Sequence, residues 1–258
     1  MLITVITINY NNLEGLRKTM KSVLEQTYGH IEYIVIDGGS TDGSKEFILE
    51  CKENLTYWVS EMDNGIYNAM NKGIKHSSGN YLLFLNSGDI LKSSNILKKI
   101  DPECFNTDIV YGDIKIVSNG KFNVYNYPDE LRFSFLFKKS LPHPATFIKA
   151  SLFKKVGLYD ETLKIAADLK FFLVAILKYG VSYKHIKEVI SVFYKDGVSS
   201  LEKNQTLIEN ERKSILQDDF KLFYKDYFEL REFKDAISAL RKSHWIKLLI
   251  KMKLVNKF

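Results

Sequence analysis

Cysteine is nearly missing from this chain: Cys51 and Cys104 are the only two in 258 residues. They lie far apart without CxxC spacing, so the sequence offers neither a disulfide framework nor a thiolate zinc site. A reducing cytoplasm is the expected setting. Long apolar runs are missing too. "YLLFL" and "FFLVAIL" fall far short of the roughly 20 residues that a membrane span needs. Met1 leads directly into "LITVITI", with no basic n-region and no small-residue cleavage site, so no secretory signal is expected. No internal repeat and no low-complexity segment occurs. The expected protein is cytoplasmic, either soluble or peripheral at the inner face of the plasma membrane.

Acid is absent from one end of the chain. From Ala236 onward there are six basic residues (Arg241, Lys242, Lys247, Lys251, Lys253 and Lys257) and no Asp or Glu. They account for the whole net charge of +6, which leaves residues 1–235 neutral. A nucleic-acid binder spreads basic charge over its folded domain. Charge confined to a tail excludes nucleic acid as the partner and suggests a surface anchor.

Three common site motifs are also missing. The loop after the first strand-like run reads "NYNNLEG" rather than GxGxxG, so it has no glycine cradle for a dinucleotide. GxxxxGK[ST] is absent, as is the GxSxG of α/β-hydrolases.

What the chain does contain is ordinary globular composition, 45% hydrophobic and 26% charged. That suits one large α/β domain or two small ones. "LITVITI", "IEYIVI", "TYWVS" and "YLLFL" read as strands. Leu13, Leu16, Met20, Val23 and Leu24 recur at helical spacing, and so do Ile66, Ala69, Met70, Gly73 and Ile74. A short helix ends near Glu50. The first ninety residues thus read β-α-β-α-β-α-β, which implies a mainly parallel sheet with helices on both faces. Further on come strands around an Asn119-Gly120 hairpin turn, a helix from Ala150 to Val156, the helix "AADLKFFLVAILKYG" and the strand "VISVFY". From Leu201 the text is helical and highly charged.

Ligands bind beyond the carboxyl ends of strands in such sheets. The polar clusters fall there: Asn9 to Asn12, Asp37 to Ser40, and Asn86 to Asp89. Asp37, Asp42, Asp63, Asp89 and Asp168 offer hard oxygen ligands of the kind that hold Mg²⁺ or Mn²⁺ with a phosphate.

These residues carry a resemblance. "VITINYNNLEGLRKTMKSVLEQTYGHIEYIVIDGGSTDGS", "DNGIYNAMNKGIKHSSGNYLLFLNSGD" and "HPATFIKASLFKKVGLYDETLKIAADLKFFL" are similar, in that order, to segments of family 2 glycosyltransferases of the GT-A fold. The similarity covers roughly residues 1–195. It is nearest to bacterial members that build capsule, O-antigen of lipopolysaccharide, or exopolysaccharide. The resemblance implies a GT-A domain over residues 1–200, with a nucleotide-sugar half (1–100) and an acceptor half (101–200). Residues 201–258 would form a helical extension with a basic amphipathic tail.

The resemblance also implies roles. Thr7, Asn9 and Tyr10 would border the nucleobase, and Asp37 and Asp42 would lie on the facing loop. The family often has two adjacent acids there, and this chain has Asp37-Gly38. Asp63 and Asn64 would lie near the ribose or sugar. The family's DxD metal motif falls on Asn86-Ser87-Gly88-Asp89, where only the final acid is kept. Asp89 would be the metal ligand, for Mn²⁺ or Mg²⁺, with Asn86 as a hydrogen-bonding neighbour. The family's base falls on Ala167-Asp168, which makes Asp168 the general base. The implied reaction is transfer of a hexosyl or hexosaminyl group, with inversion, from a nucleotide-diphospho-sugar to a hydroxyl of a growing lipid-linked bacterial surface glycan. A UDP-sugar is the leading donor.

Plainer readings stand beside these. Asp168 and Asp42 could each simply stabilise the start of a helix. His143, between two prolines, fits an orienting site residue or a rigid turn. "KDGVSS", Lys195 to Ser200, fits a loop closing over the donor or a plain turn. A sugar nucleotidyltransferase would need a glycine- and base-rich loop where "NYNNLEG" stands. A non-catalytic nucleotide-sugar-binding partner in a polysaccharide assembly would explain the incomplete DxD. In the tail, Trp245, Leu248, Leu249, Met252 and Val255 form one helical stripe. It suits either packing on protein or lying on an anionic membrane through residues 241–257.

Overall fold

The computed structural model describes residues 1–118, 120–194, 202–252 and 254. Asn119 of the hairpin turn, the segment Lys195 to Ser200, and Lys253, Val255 and Lys257 of the tail lie outside the described residues.

Strands β1 (Ile3–Asn9), β2 (Ile31–Asp37), β3 (Tyr57–Ser60) and β4 (Tyr81–Phe84) alternate with helices α1 (Leu13–Leu24), α2 (Ser44–Cys51) and α3 (Ile66–His76). The strands pair in parallel in the order β3-β2-β1-β4. Strand β1 is buried along its whole length because helices cover both of its faces. Ile6 and Ile8 share a core with Met70 of α3, whereas Ile3 and Val5 share one with Leu16 and Met20 of α1. This double burial is why the strand sequences run apolar without polar alternation. At Gly73 a Cβ would sit 2.5 Å from Ile6 Cγ2, so only glycine lets α3 approach β1 so closely.

The second half reverses direction. It comprises β5 (Ile90–Leu91), α4 (Ile96–Lys99), β6 (Ile109–Ser118), β7 (Lys121–Tyr125), α5 (Phe133–Leu136), β8 (Thr146–Lys149), α6 (Ser151–Lys155), α7 (Ala167–Leu173) and β9 (Tyr183–Tyr194). The sheet order is β3-β2-β1-β4-β8-β6-β9-β5, with β7 paired to β6. Strand β8 runs antiparallel to both β4 and β6. The parallel arrangement read from the sequence therefore holds for β1 to β4, and the sheet beyond them is mixed. Helix α7 continues as a π-helical turn, Val174–Lys178, and the chain leaves it at Gly180, whose φ of +56° suits glycine.

The chain divides into two compact units, Met1–Arg212 and Lys213–Phe258. The first runs beyond residue 200 and takes in the first part of α8 (Glu202–Asp219). The second holds α9 (Lys221–Lys242) and α10 (His244–Lys251). On α10, Trp245 and Leu248 are exposed, as is Met252 just beyond it. Among the described residues no helix is long and apolar enough to cross a membrane.

Because β1 to β4 are parallel, their carboxyl ends meet at one edge. Asn9, Asp37, Ser60 and Asn86 all lie there. That edge is where the site is built.

Candidate active site

The turn after β4 is held from beneath. Asp89 N–H donates to the Asn86 carbonyl at 2.9 Å, and Gly88 has φ +108°. A side chain there would be strained, so the turn requires its glycine. Thr19 of α1, fully buried, accepts from Gly88 N–H (2.9 Å) and donates to the Asp89 carbonyl (2.7 Å). Asn12 caps α1 through Gly15 N–H (3.1 Å) and passes its own Nδ2 to the Ser87 carbonyl (3.0 Å). The loop "NYNN" and the turn "NSGD" are thus one hydrogen-bonded body. Asp89 is 8% exposed. Asn86 Oδ1 and Ser87 Oγ are buried with no hydrogen-bond partner among the described residues. Within three residues of Asp89 the turn thus keeps two unpaired oxygens, the donor type that a hard cation takes. Among the described residues no cluster of three or more His, Cys, Asp or Glu could hold a metal. A cation at Asp89 would therefore need phosphate and water oxygens to complete its shell.

Asp37 is completely buried and fully engaged. Its Oδ1 accepts from Asn9 Nδ2 (2.7 Å) and Ser40 Oγ (2.6 Å). Its Oδ2 accepts from Ser40 N–H (3.0 Å) and Ser60 Oγ (2.6 Å). Burial pushes the Asp37 pKa up, but the bonds from Ser40, Ser60 and Asn9 outweigh it and the net shift is downward. Asp37 therefore stays ionised and ties three strand ends together. Asp42 is exposed and holds helix starts, accepting from Leu13 N–H (2.8 Å), Ser44 N–H (3.1 Å) and Ser44 Oγ (2.6 Å). Thr7 is fully buried, with its hydroxyl 3.0 Å from Tyr33 Oη, so it supports the site from inside the sheet.

Tyr10 and Asp63 flank Gly38. A Cβ at Gly38 would stand 3.0 Å from Asp63 Oδ2 and 3.2 Å from Tyr10 Cδ2. A side chain at Gly38 would fit only if Asp63 and Tyr10 drew back by a few tenths of an ångström. Tyr10 is 69% exposed, a ring free to stack. Asp63 pairs with Lys72 at 2.6 Å, and Lys72 also holds Glu61 at 2.7 Å. Asn64 is exposed, and its N–H donates to Asn68 Oδ1 (3.3 Å).

A continuous chain of rings and hydroxyls runs from the end of β4 to α7. His143 stacks on Phe84, centroids 4.9 Å apart and planes within 7°. Its Nε2 lies 2.9 Å from Tyr159 Oη. Tyr159 packs on Tyr67 at 5.6 Å. Tyr67 Oη donates to the Ile165 carbonyl (2.5 Å) and lies 3.1 Å from Asp168 Oδ1. Ser140 Oγ approaches Asp168 Oδ2 at 3.4 Å. Burial first, and then the Asp168 charge, push the hydroxyls of Tyr67 and Tyr159 well above their usual range, so both remain neutral donors. Burial holds the His143 pKa down against the opposing pull of Asp168, which keeps the ring neutral at pH 7. Asp168 lies in the first turn of α7, whose N-cap position, Ala166, has no side-chain cap.

A model of the family described as Glycosyl transferase family 2 matches residues 4–155. The chain belongs to glycosyl transferase family 2. An uncharacterized glycosyltransferase of Mycobacterium tuberculosis is 39% identical over 181 residues, 68% of this chain and 69% of that protein. Among solved structures, S. aureus TarS 1–349 in complex with UDP-GlcNAc superposes with TM-score 0.67 at 19% identity, covering 84% of this chain and 67% of that one. The mannosyltransferase PcManGT from Pyrobaculum calidifontis, in complex with GDP-Man and Mn²⁺, gives TM-score 0.59 at 15% identity, covering 98% and 79%. The fold is the GT-A-like glycosyltransferase fold, and the protein is a glycosyltransferase.

Several residues that build the site carry no motif. Thr19 reads as one polar position beside an apolar stripe. Tyr67 reads as core on its helix, and Tyr159 stands out only once β4, α3 and α7 are brought together. Glu211 and Arg212 sit in charged helical text with nothing local to mark them.

Proposed function

We propose that this glycosyltransferase moves a hexosyl or hexosaminyl group, with inversion, from a nucleotide-diphospho-sugar to a hydroxyl of a growing, lipid-linked bacterial surface glycan. A UDP-sugar is the leading donor, and the product would enter a capsule, an O-antigen or an exopolysaccharide. The observation that carries the reading is the polar edge: Asp89 on its rigid turn after β4, and Asp168 at the start of α7, linked through Tyr67, Tyr159 and His143 to Phe84 at the end of that same strand. One end suits a diphosphate and the other an acceptor hydroxyl.

In this reading Tyr10 and Asn9 receive the nucleobase, and Asp63 and Asn64 the ribose or sugar. Asp37 and Asp42 hold the loops that carry them. Asp89, with Asn86 and Ser87 in the same turn, would hold a Mn²⁺ or Mg²⁺ ion, whose chemistry would be to supply positive charge to a diphosphate. Asp168 takes the proton from the acceptor hydroxyl as that oxygen bonds to the anomeric carbon. The bond from that carbon to the diphosphate breaks, and its electron pair leaves with the nucleoside diphosphate. Neutral Tyr67 and Ser140 orient the carboxylate by hydroxyl contacts. Trp245 and Leu248 of α10, with Met252 just beyond it, would rest on anionic lipid, with Lys247 and Lys251 at the headgroups, near an acceptor anchored in the same membrane.

The test is a thermal-shift screen of UDP-, GDP-, dTDP- and CMP-sugars with and without Mn²⁺. A ligand at a hundred times its Kd adds about 2.7 kcal/mol of stability. A UDP-sugar shift that grows with Mn²⁺, followed by slow release of UDP without acceptor, is the expected result. Binding without any turnover would favour a non-catalytic sugar-nucleotide-binding partner, and no shift with any donor would refute both.

A further inference from the structure

We propose that Glu211, seconded by Arg212, is a positioning residue that holds the Asp168 carboxylate in its working geometry. The inference rests on Asp168 being the general base. Helix α7 has no cap of its own at Ala166. Glu211 of α8, from far along the chain, instead ties down the backbone that leads into it. Its Oε1 accepts from Lys164 N–H (2.7 Å), and its Oε2 from Ile165 N–H (3.0 Å) and Ala166 N–H (2.9 Å). Three successive backbone donors, ending two residues before Asp168, are thereby fixed by one carboxylate. Charge-assisted bonds of this kind are among the strongest available to a backbone.

Arg212 holds the other flank. Its guanidinium donates to the Lys138 carbonyl, two residues before Ser140, whose hydroxyl faces Asp168 Oδ2. Two adjacent residues of α8 therefore pin both segments that converge on the base. Arg212 Nε is buried with no hydrogen-bond partner among the described residues. Burial lowers the guanidinium pKa, and attraction to Asp168 and Glu209 opposes that.

The need for such a clamp follows from how weakly Asp168 is held directly. Tyr67 has one proton, and the Ile165 carbonyl lies nearer to it than Asp168 does. The Ser140 contact is long at 3.4 Å. The aim of the carboxylate thus depends on the backbone of residues 164–168, and a catalytic group must be held to about 0.5 Å.

The experiment uses the full chain, UDP-GlcNAc with Mn²⁺ as probe, and UDP release as readout. In Glu211→Gln the amide N–H₂ replaces one oxygen and meets at least one backbone N–H. We expect kcat to fall about 10- to 100-fold, as for a shift of about 1 Å at a catalytic group, with KM for UDP-GlcNAc unchanged. Glu211→Asp keeps the charge and should recover part of the loss. If Glu211→Gln fails to fold, Glu211→Asp carries the same comparison. In an Asp168→Asn background either Glu211 variant should cost nothing further, because the base is already gone. Equal fold-losses in both backgrounds would mean a merely structural role and overturn the proposal. So would native kcat in Glu211→Gln. Full turnover by Asp168→Asn alone would instead refute the base assignment on which the proposal stands.

Discussion

Asp37→Asn separates two roles for the same carboxylate. Four donors reach Asp37, two on each oxygen. Asparagine presents one oxygen and one N–H₂. Facing Oδ1's partners, the N–H₂ meets Asn9 Nδ2; facing Oδ2's, it meets Ser40 N–H. Each of those groups has only a proton to give, whereas the serine hydroxyls can turn and accept. In the first orientation Asn9 Nδ2 keeps only its longer bond to Ser40 Oγ (3.2 Å), in the second Ser40 N–H is left unpaired in a buried site, and in both the remaining bonds lose their charge. A hydrogen bond to a charged group is worth about 1.5–3 kcal/mol net, and an orphaned buried donor costs about 1–3 kcal/mol. A destabilisation of about 3 kcal/mol follows, or roughly 6–12 °C in melting temperature for a chain of this size. The assay is thermal melting of the full chain, with UDP affinity measured well below the transition. Because Asp37 has no lone pair left for a nucleobase, UDP affinity should change less than about threefold. The pH dependence has a definite sign. The folded pKa of Asp37 is lowered, so its contribution is fully present above the unfolded value near 3.9 and fades as pH falls through the folded one. The gap between native and variant melting should be full at pH 7 and close below about pH 4. Native melting with UDP affinity lost more than tenfold would refute this account and return Asp37 to direct base contact.

Other outcomes follow from the same geometry. Gly38→Asp should weaken UDP binding rather than strengthen it, because the new side chain shifts the Tyr10 ring and sets a second negative charge against Asp63; tighter binding by calorimetry would refute this. Asp89→Ala should abolish the Mn²⁺-dependent part of the UDP-GlcNAc thermal shift while leaving the fold intact, and an unchanged Mn²⁺ increment would remove Asp89 as the ligand. Asp168→Asn should lower turnover by about 10²–10⁴-fold with donor affinity preserved; near-native turnover would leave Asp168 as a first-turn helix acid. A chain ending at Ala236 should lose binding to phosphatidylserine vesicles yet still melt cooperatively, whereas equal vesicle binding would exclude α10 as the anchor.

Much of the scaffold was legible because local signals and tertiary demands agree. β-branched runs became β1 and β2, since both faces of those strands are buried. The Leu16-Met20-Val23 and Ala69-Met70-Gly73 stripes became the packed faces of α1 and α3. Illegible elements were those made by distant partners. Strand β8 lies between β4 and β6 through antiparallel pairing that no neighbouring residue announces. Strand β5 is two residues long and exists only by pairing with β9. The carboxylate that fixes the chain leading into α7 comes from Glu211, more than forty residues away.

The carboxylates show the same limit at the site. In the sequence, Asp37, Asp42 and Asp168 look alike, each an acid in or beside a loop. The donors around them make them different. Asp37 accepts from a backbone N–H, an amide and two hydroxyls, and Asp42 from two backbone N–H groups and a hydroxyl. A carboxylate held that way is poorly basic and already occupied. The described side-chain donors to Asp168 are two hydroxyls, one shared with a carbonyl and one at long range. Hydroxyls can rotate away or turn to accept, so a proton arriving on Asp168 does not strand a buried donor. The three backbone N–H groups of residues 164–166 are bound to Glu211. Glu211 thus spends its own lone pairs on the chain that leads into α7, while the Asp168 carboxylate keeps hydroxyl partners that can turn as a proton arrives.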